Sequence, residues 1–470
     1  MAEWRDKRVL IIGAARQGTA LARYLASKGA RVILNDRRTP EELGSARASL
    51  SDLSGSIEWV LGEHPLAILD SADLICPSGG VPLSLPLIVE ALRRGIPLSN
   101  DSQIFMEEAP CMVVGITGSA GKTTTTTLAG RMAQAAVTSS GLGFHPERAW
   151  VGGNIGSPLI SVVDQMGSSD LAVMELSSFQ LELMTVSPQV ASILNITPNH
   201  LDRHDSMQSY TAAKARILGY QGNGDSAVLG RDDPGAWGLS SAVKGKLYSF
   251  GLSPLPEGSE GVYLDDGHVM LRVDNKPIEI MERSHVGLRG EHNLQNTLAA
   301  CAVCAAAGLP VDAMIAGVEG FTGVSHRLEF VREWKGASWY NDSIATAPER
   351  SMAAIRSFDE RLVLLAGGRD KNLPWDEFAQ LVCRRVGHLV LFGEAAGKIL
   401  SAVERACEAG GAKQPAITKC SGLRQAVVSA AEACAPGDVV LLSPGGTSFD
   451  EFRDFEERGE AYRKWVMMLD

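Results

Sequence analysis

Three things are scarce in this 470-residue chain, and each absence excludes a class of protein. No apolar run approaches the ~18 residues needed to cross a bilayer. The start, Met1 to Arg8, is polar and carries no signal-peptide core, so neither a membrane nor a secreted protein is expected. Positive charge is outnumbered, 44 Lys and Arg against 55 Asp and Glu, a net charge of −11. That argues against nucleic acid as a partner, because neutralising phosphates takes clustered Lys and Arg. Cysteine is sparse, eight residues with one close pair, Cys301 and Cys304, inside an Ala-rich run. No second pair or nearby histidine pair completes a zinc site, so these two read as small buried helix residues. The expectation is a cytoplasmic protein with reduced thiols, acting on small molecules.

What remains is an ordinary globular composition, 45% apolar and 21% charged, long enough for two to four domains. The richest local signal is Gly115-Ile-Thr117-Gly118-Ser119-Ala120-Gly121-Lys122-Thr123. It follows Met112-Val-Val114, which reads as a short buried strand, and precedes Thr124 to Ala136, which reads as a helix with Leu128 and Met132 on one face. Strand, glycine-rich turn and helix N-terminus make a cradle for polyphosphate, spanning Gly118 to Thr124. Lys122 would reach the outer phosphates and the Thr123 hydroxyl would ligate Mg²⁺. The outer glycine sits at Gly115, one residue earlier than in the common pattern.

Ahead of this loop, strand Val9–Gly13, turn Gly13–Gly18, a helix from about Thr19 to Lys28 and strand Arg31–Leu34 ending at Asp36 form a βαβ opening. Its middle glycine is replaced by Ala15, whose side chain hinders close approach of a pyrophosphate, so a dinucleotide site is disfavoured. Helix–strand packing also accounts for these glycines. Leu74-Ile-Cys76 reads as a strand running into the loop Pro77 to Pro82, Leu87–Arg94 as a helix, and Asn100–Glu108 as a bridge to the next domain.

Beyond the phosphate loop, Leu171–Glu175 is an apolar strand ending on a carboxylate, where open α/β sheets place ligands and where Mg²⁺ is usually held. Val190–Ile196 is a further strand leading to the polar loop Thr197 to His204. His200 and His204 have zinc-helix spacing, but Pro198 and a missing third ligand favour a polar active-site loop. Tyr210–Leu218 reads as a helix carrying Lys214, which by residue type alone is an exposed helix lysine. Residues 225–281 read as β-structure with Gly-rich turns, and Asn293 and Asn296 share one face of the next helix. A third α/β unit has strands Ser338–Asn341, Leu362–Leu365, Leu389–Phe392 and Val439–Leu442, with helices from Ala347, Trp375, Ala395 and Leu423, so a parallel sheet is expected. Asp342, Thr346, Lys371 and Ser448 fall just past strand ends.

Thr117-Gly-Ser-Ala-Gly-Lys-Thr123, Gly152-Gly-Asn154-Ile-Gly156, Glu175-Leu-Ser177-Ser178-Phe-Gln180, His200-Leu-Asp202-Arg203, Lys214, Gly290-x-His292-Asn293-x-x-Asn296, His326-Arg327 and Asn341-Asp342-Ser343 resemble the Mur ligases in order and spacing across nearly the whole chain. The first domain, Gly367-Gly-x-x-Lys371 and the run Leu442 to Phe455 are most similar to the branch that adds glutamate to UDP-N-acetylmuramoyl-L-alanine. The resemblance implies an α/β protein of three domains. These are a Rossmann-like UDP-binding domain (1–104), a central P-loop ATPase-type domain (105–323) and a C-terminal Rossmann-like α/β domain (324–470). It implies a monomer that uses ATP and two Mg²⁺ ions to form an amide bond through an acyl phosphate.

In that reading Arg16, Gln17, Asp36, Arg37, Gly79, Asn154 and Ser177 hold the UDP substrate. Gly118, Ser119, Ala120, Gly121, Lys122, Thr123, Thr124, Asn293, Asn296, Arg327 and Asp342 hold ATP. Thr123, Glu175, His200 and a carbamylated Lys214 serve the metals, with Lys122, His200 and Lys214 catalytic. Thr346, Lys371, Ser448 and Phe455 hold glutamate. Two departures bear on the acceptor: Ile344 stands where a lysine is frequent, and Arg369 where an acidic residue is often found. D-glutamate is the expected acceptor. L-glutamate, or a folylpolyglutamate synthase-like ligase sharing the central domain, is the alternative; that relative begins with its ATPase domain, whereas this chain does not.

Overall fold

The apolar runs become the central strands of three sheets in a computed structural model that describes residues 4–198, 203–204, 206–288, 290–371, 373–410 and 414–470. The first sheet is all parallel, β1 (Arg8–Ile12), β2 (Arg31–Asp36), β3 (Ile57–Leu61) and β4 (Leu74–Pro77), in the order β3-β2-β1-β4. The second comprises β5 (Met112–Thr117), β6 (Ala149–Gly153), β7 (Leu171–Glu175), β8 (Val190–Ile193), β9 (Ser226–Gly230), β10 (Lys246–Gly251), β11 (Glu260–Asp265), β12 (His268–Val273) and β13 (Lys276–Glu282). Its order is β13-β12-β11-β10-β9-β8-β5-β7-β6, parallel from β6 to β11 and antiparallel at β12 and β13. The third comprises β14 (Glu329–Trp334), β15 (Ala337–Asn341), β16 (Leu362–Gly367), β17 (Val386–Phe392), β18 (Ala416–Lys419) and β19 (Val439–Gly445). Its order is β14-β15-β19-β16-β17-β18, with only β14 antiparallel.

Strands covered on both faces must be apolar throughout, and β16 and β19 are buried at every residue. The third sheet accordingly has a separate apolar cluster on each face, one around Leu364, Phe378 and Leu391, the other around Trp339, Leu365 and Tyr462. In the first two sheets, one cluster runs continuously from Val9 and Ile11 through Ile104 and Phe105 to Leu159, Met174 and Ile193. The helix Asp101–Glu108, capped by the Asn100 side chain, is the element that joins them. Asn100 also donates to the Gln180 carbonyl (2.8 Å), and Trp4 donates to Glu108 (2.9 Å). Packing therefore divides the chain into two compact units, Met1–Phe321 and Thr322–Asp470, with the first two sheets in one unit.

Several expectations shift. The first helix, Arg16–Ser27, starts three residues earlier than its apolar pattern suggests. Gly18 permits this, because a Cβ there would lie 1.8 Å from the Gly13 carbonyl oxygen. The expectation of eight reduced thiols is corrected at one pair. Cys383 and Cys407 form a disulfide, because the helices Asp376–Arg385 and Ala396–Gly410 pack together and bring their Cα atoms to 5.8 Å. Cys301 and Cys304 are buried on the helix Glu291–Ala306. Among the described residues no helix is long and apolar enough to cross a membrane.

The helix after the phosphate loop, Lys122–Ala136, is held from behind by Val311–Val318 at the closest of approaches: a Cβ on Gly317 would stand 2.7 Å from the Met132 backbone nitrogen. Gly317→Ala should therefore overpack this contact and cost about 1–3 kcal/mol. Thermal unfolding checks this, and an unchanged Tm would show that the two helices separate freely.

Candidate active site

The phosphate loop is built before any ligand arrives. Gly121 takes a left-handed conformation (φ +80°) as N-cap of Lys122–Ala136, and a Cβ there would lie 2.1 Å from Asn296 Oδ1. Only glycine allows the turn and the asparagine to coexist. Asn195, just past β8, braces the loop from below: its backbone carbonyl accepts from Ser119 N–H (3.0 Å) and its side-chain oxygen from Ala120 N–H (2.8 Å). The Ser119 hydroxyl donates to the Thr197 carbonyl (2.9 Å) and accepts from Tyr210 Oη (3.0 Å). Asn195 and Tyr210 were not singled out from sequence; a polar residue at the end of each of two expected elements was the available signal. Asn293 and Asn296 are joined by a side-chain hydrogen bond (3.3 Å), as their shared helix face requires.

Two amines converge on one oxygen of this loop. Lys122 Nζ and Lys214 Nζ each donate to the Gly118 carbonyl at 2.9 Å. Lys214 is 1% exposed, which corrects its reading as a surface lysine. The helix Met207–Gly219 turns it inward, over the ring of Tyr210 (4.7 Å). Burial, with Lys122 adding to it and Glu175 opposing, pushes its pKa down to about 7. Glu175 ends β7 in register with Ile116 of β5, so its carboxylate stands beside the loop. Asn154 donates to Glu175 Oε1 (2.8 Å), while Oε2 is buried and accepts no hydrogen bond. An orphaned carboxylate oxygen beside a phosphate loop fits a divalent cation, with Thr123 of the loop able to add a hydroxyl oxygen. His200 lies outside the described residues.

The first sheet presents its own loops at the same end of its strands. A Cβ on Gly79 would lie 3.9 Å from Gln17 Oε1, while Arg16 and Arg37 are exposed. Asp36 is already engaged: it accepts from Ala14 N–H (2.8 Å) and pairs with Arg38 (2.7 Å). Burial alone would raise its pKa, but the hydrogen bonds from Arg38 and Ala14 hold it well below the usual carboxylate range. Ser177 caps the short helix Ser178–Leu181 in a reciprocal capping box with Gln180. Arg203 ties the two halves of this unit together, donating to the carbonyls of Gly80 (3.2 Å) and Val81 (3.4 Å) while stacking on Phe179 (4.4 Å). His204, next to it, is buried, stacked on Phe179 (5.3 Å) and within 3.1 Å of Glu182.

In the second unit the expected residues gather at the ends of β15, β16 and β19. Asp342 accepts from the Ser443 hydroxyl (2.8 Å) and Leu328 N–H (3.2 Å), and burial pushes its pKa up to about 7. Arg327, in the turn before β14, lies where its charge favours the Asp342 carboxylate. Ser448 is buried, Thr346 half-buried and Lys371 exposed. Phe455 opens the helix Phe455–Met467, and its carbonyl accepts from the Ser343 hydroxyl (2.8 Å). Arg369 pairs with Glu394 (3.0 Å). Arg458 clamps the Asp342 and Ser448 loops together: it is fully buried and donates to the Ser343 hydroxyl (3.0 Å), the Ser343 carbonyl (2.8 Å) and the Gly446 carbonyl (3.1 Å). Arg458 was missed because its helix was not anticipated.

A protein called UDP-N-acetylmuramoylalanine–D-glutamate ligase from Symbiobacterium thermophilum is 40% identical to this chain over 464 residues, covering 99% of this chain and 98% of the relative. The chain belongs to the Mur ligase family. The family's MurD-like N-terminal domain matches residues 7–100, its middle domain 116–304 and its glutamate ligase domain 326–446. Proteins of the same name from Pelotomaculum thermopropionicum (40% identical, 99% of each chain covered) and Geotalea uraniireducens (39%, 100% and 99%) agree. Two solved Mur ligases share the fold: UDP-N-acetylmuramate–alanine ligase of Thermotoga maritima (TM-score 0.56, 17% identical, 98% and 99% covered) and MurF of Acinetobacter baumannii (TM-score 0.56, 18%, 98% and 94%).

The Asp342 carboxyl titrates near 7 when folded, against 3.8 in its ordinary state. Stability from its protonated form is fully present below about pH 4 and is lost as pH rises through about 7. Asp342→Asn cannot titrate, so its Tm should fall less than the wild-type Tm across that window. Calorimetry at several pH values checks this, and equal slopes in the two proteins would contradict it.

Proposed function

We propose that this ligase joins D-glutamate to UDP-N-acetylmuramoyl-L-alanine with ATP, releasing ADP and phosphate, in cytoplasmic peptidoglycan precursor synthesis. The observation that carries the reading is the convergence of Lys122, Lys214 and Glu175 on the phosphate loop of a chain that matches glutamate-adding relatives end to end. A carboxylate and an amine do not condense in water. Transfer of the γ-phosphoryl group to a carboxylate oxygen makes an acyl phosphate; the amine then attacks the carbonyl carbon, and phosphate leaves from the tetrahedral adduct. Charge accumulates where phosphoryl group and carboxylate meet, so positive groups must be in place beforehand.

Lys122 and the N–H groups of Gly118 to Thr124 orient the triphosphate, with Asn293 and Asn296 beside them. Arg327 and Asp342 are assigned to the nucleotide as well. Two Mg²⁺ ions would be held by Thr123, Glu175, His200 and Lys214 and would supply charge neutralisation. As a carbamate Lys214 would offer an ion anionic oxygens, and an amine titrating near 7 is neutral often enough to take up CO₂. The UDP substrate is assigned to Arg16, Gln17, Arg37 and Gly79, with Asn154 and Ser177; Asp36 acts there by shaping the Ala14 turn. Glutamate is assigned to Thr346, Lys371, Ser448 and Phe455.

Acceptor-dependent phosphate release tests this. Release should require UDP-N-acetylmuramoyl-L-alanine and D-glutamate together, and L-glutamate should turn over more slowly. Faster turnover of L-glutamate would sink the stereochemical assignment, and release with ATP alone would sink the ligase reading.

A further inference from the structure

The loop between β15 and the helix Pro348–Ile355 is pinned at both ends. Asp342 N–H donates to the Leu442 carbonyl (2.8 Å), Gly445 N–H to the Ala345 carbonyl (2.9 Å) and Ile344 N–H to the His326 carbonyl (3.1 Å). The helix itself is fastened one residue after Arg350: the Ser351 hydroxyl donates to the Ser443 carbonyl (3.0 Å), and the Ser443 hydroxyl reaches Asp342. Thr346 and Arg350 therefore have a fixed relation to the end of β19, where Ser448 follows. Lys371 is brought to the same end. β16 runs beside β19, and beyond them Arg369 and Thr447 exchange two backbone hydrogen bonds (2.8 and 2.9 Å).

Most cations around this loop are spent: Arg458 on Ser343 and Gly446, Arg369 on Glu394, Lys398 on Asp370. Ile344 has no side-chain donor. Arg350 and Lys371 differ from the rest, because neither makes an ion pair or side-chain hydrogen bond among the described residues. Arg350 is close enough for its charge to disfavour the Lys371 ammonium and to favour the Asp342 carboxylate. Two unpaired cations held near each other by the fold repel until an anion joins them.

We propose that Arg350 is a specificity-determining residue, whose guanidinium binds one carboxylate of the incoming dicarboxylic amino acid while Lys371 serves the other. This rests on the assignment of Thr346, Lys371 and Ser448 to glutamate. A planar guanidinium donates two parallel N–H hydrogen bonds to a carboxylate, so it discriminates by geometry as well as charge. It also supplies, from the first turn of a helix, the charge that Ile344 cannot.

The test is steady-state phosphate release by the full chain with Mg-ATP, UDP-N-acetylmuramoyl-L-alanine and D-glutamate. Arg350 is exposed, so Arg350→Ala should fold, and its Tm is measured alongside. Arg350→Ala is expected to raise KM for D-glutamate about tenfold, the loss of one charge-assisted hydrogen bond, with kcat at saturation and KM for ATP moving less than about twofold. Arg350→Lys should retain part of the affinity, and Arg350→Glu should lose more than the alanine variant. A KM for D-glutamate in Arg350→Ala within about twofold of wild type overturns the inference, as does an equal rise in KM for the UDP substrate, which would mark a structural role. Wild-type enzyme that releases no phosphate with D-glutamate overturns the functional reading first, and this inference with it.

Discussion

A lysine amine cannot stay charged and buried against a phosphate loop unless something anionic joins it. Lys214 is in that position, almost without solvent contact and sharing the Gly118 carbonyl with a second lysine. The surrounding structure enforces the situation. Tyr210 lies under the amine and braces Ser119, Asn195 fixes the loop from β8, and the tight approach of Gly317 to Met132 seats the helix that Lys122 begins. These contacts fix the loop against which Lys214 is buried, and that burial, with the Lys122 charge adding to it, lowers its pKa to about 7. The orphaned oxygen of Glu175 is the complementary half of the same constraint. A carbamate on the amine, with cations in the space between, would resolve this excess of amine on one side and of carboxylate on the other.

The two glycine turns answer to different physics. The phosphate loop has a shape that depends on glycine at Gly121, where Asn296 occupies the space of a Cβ. The first sheet also turns on a glycine, Gly18, but there the reason is helix packing, and Ala15 closes the approach a dinucleotide would need. Asp36, which would meet a ribose in a dinucleotide fold, is consumed by Ala14 and Arg38.

Much of the fold was legible because parallel strands covered on both faces read as apolar runs: Val9–Ile12, Leu171–Met174 and Leu362–Leu365 announce themselves. The strands not anticipated, Ile57–Leu61, Ala149–Gly153, Glu329–Trp334 and Ala416–Lys419, are all at sheet edges, where one side is unpaired and polar residues interrupt the run. Glu329-Phe-Val-Arg-Glu-Trp334 shows the effect most clearly. The helix Phe455–Met467 was hidden because charged residues fill nearly half of it and its buried face includes Arg458 and Gly459. At the site, the glycine loop, Glu175 and the asparagine pair could be placed from spacing. The burial of Lys214 could not, because its neighbours Ala213 and Arg216 read as an ordinary helix surface and only the packing of Tyr210 against Ser119 turns that face inward.

The account stands on Lys214 serving as an anionic group. Carbon-13 NMR of the enzyme equilibrated with labelled bicarbonate should show a carbamate carbonyl signal that is absent in Lys214→Ala, and short acids such as acetate or formate should restore part of that variant's lost activity. No carbamate signal in the wild-type enzyme, together with unimpaired activity in Lys214→Ala, would contradict it.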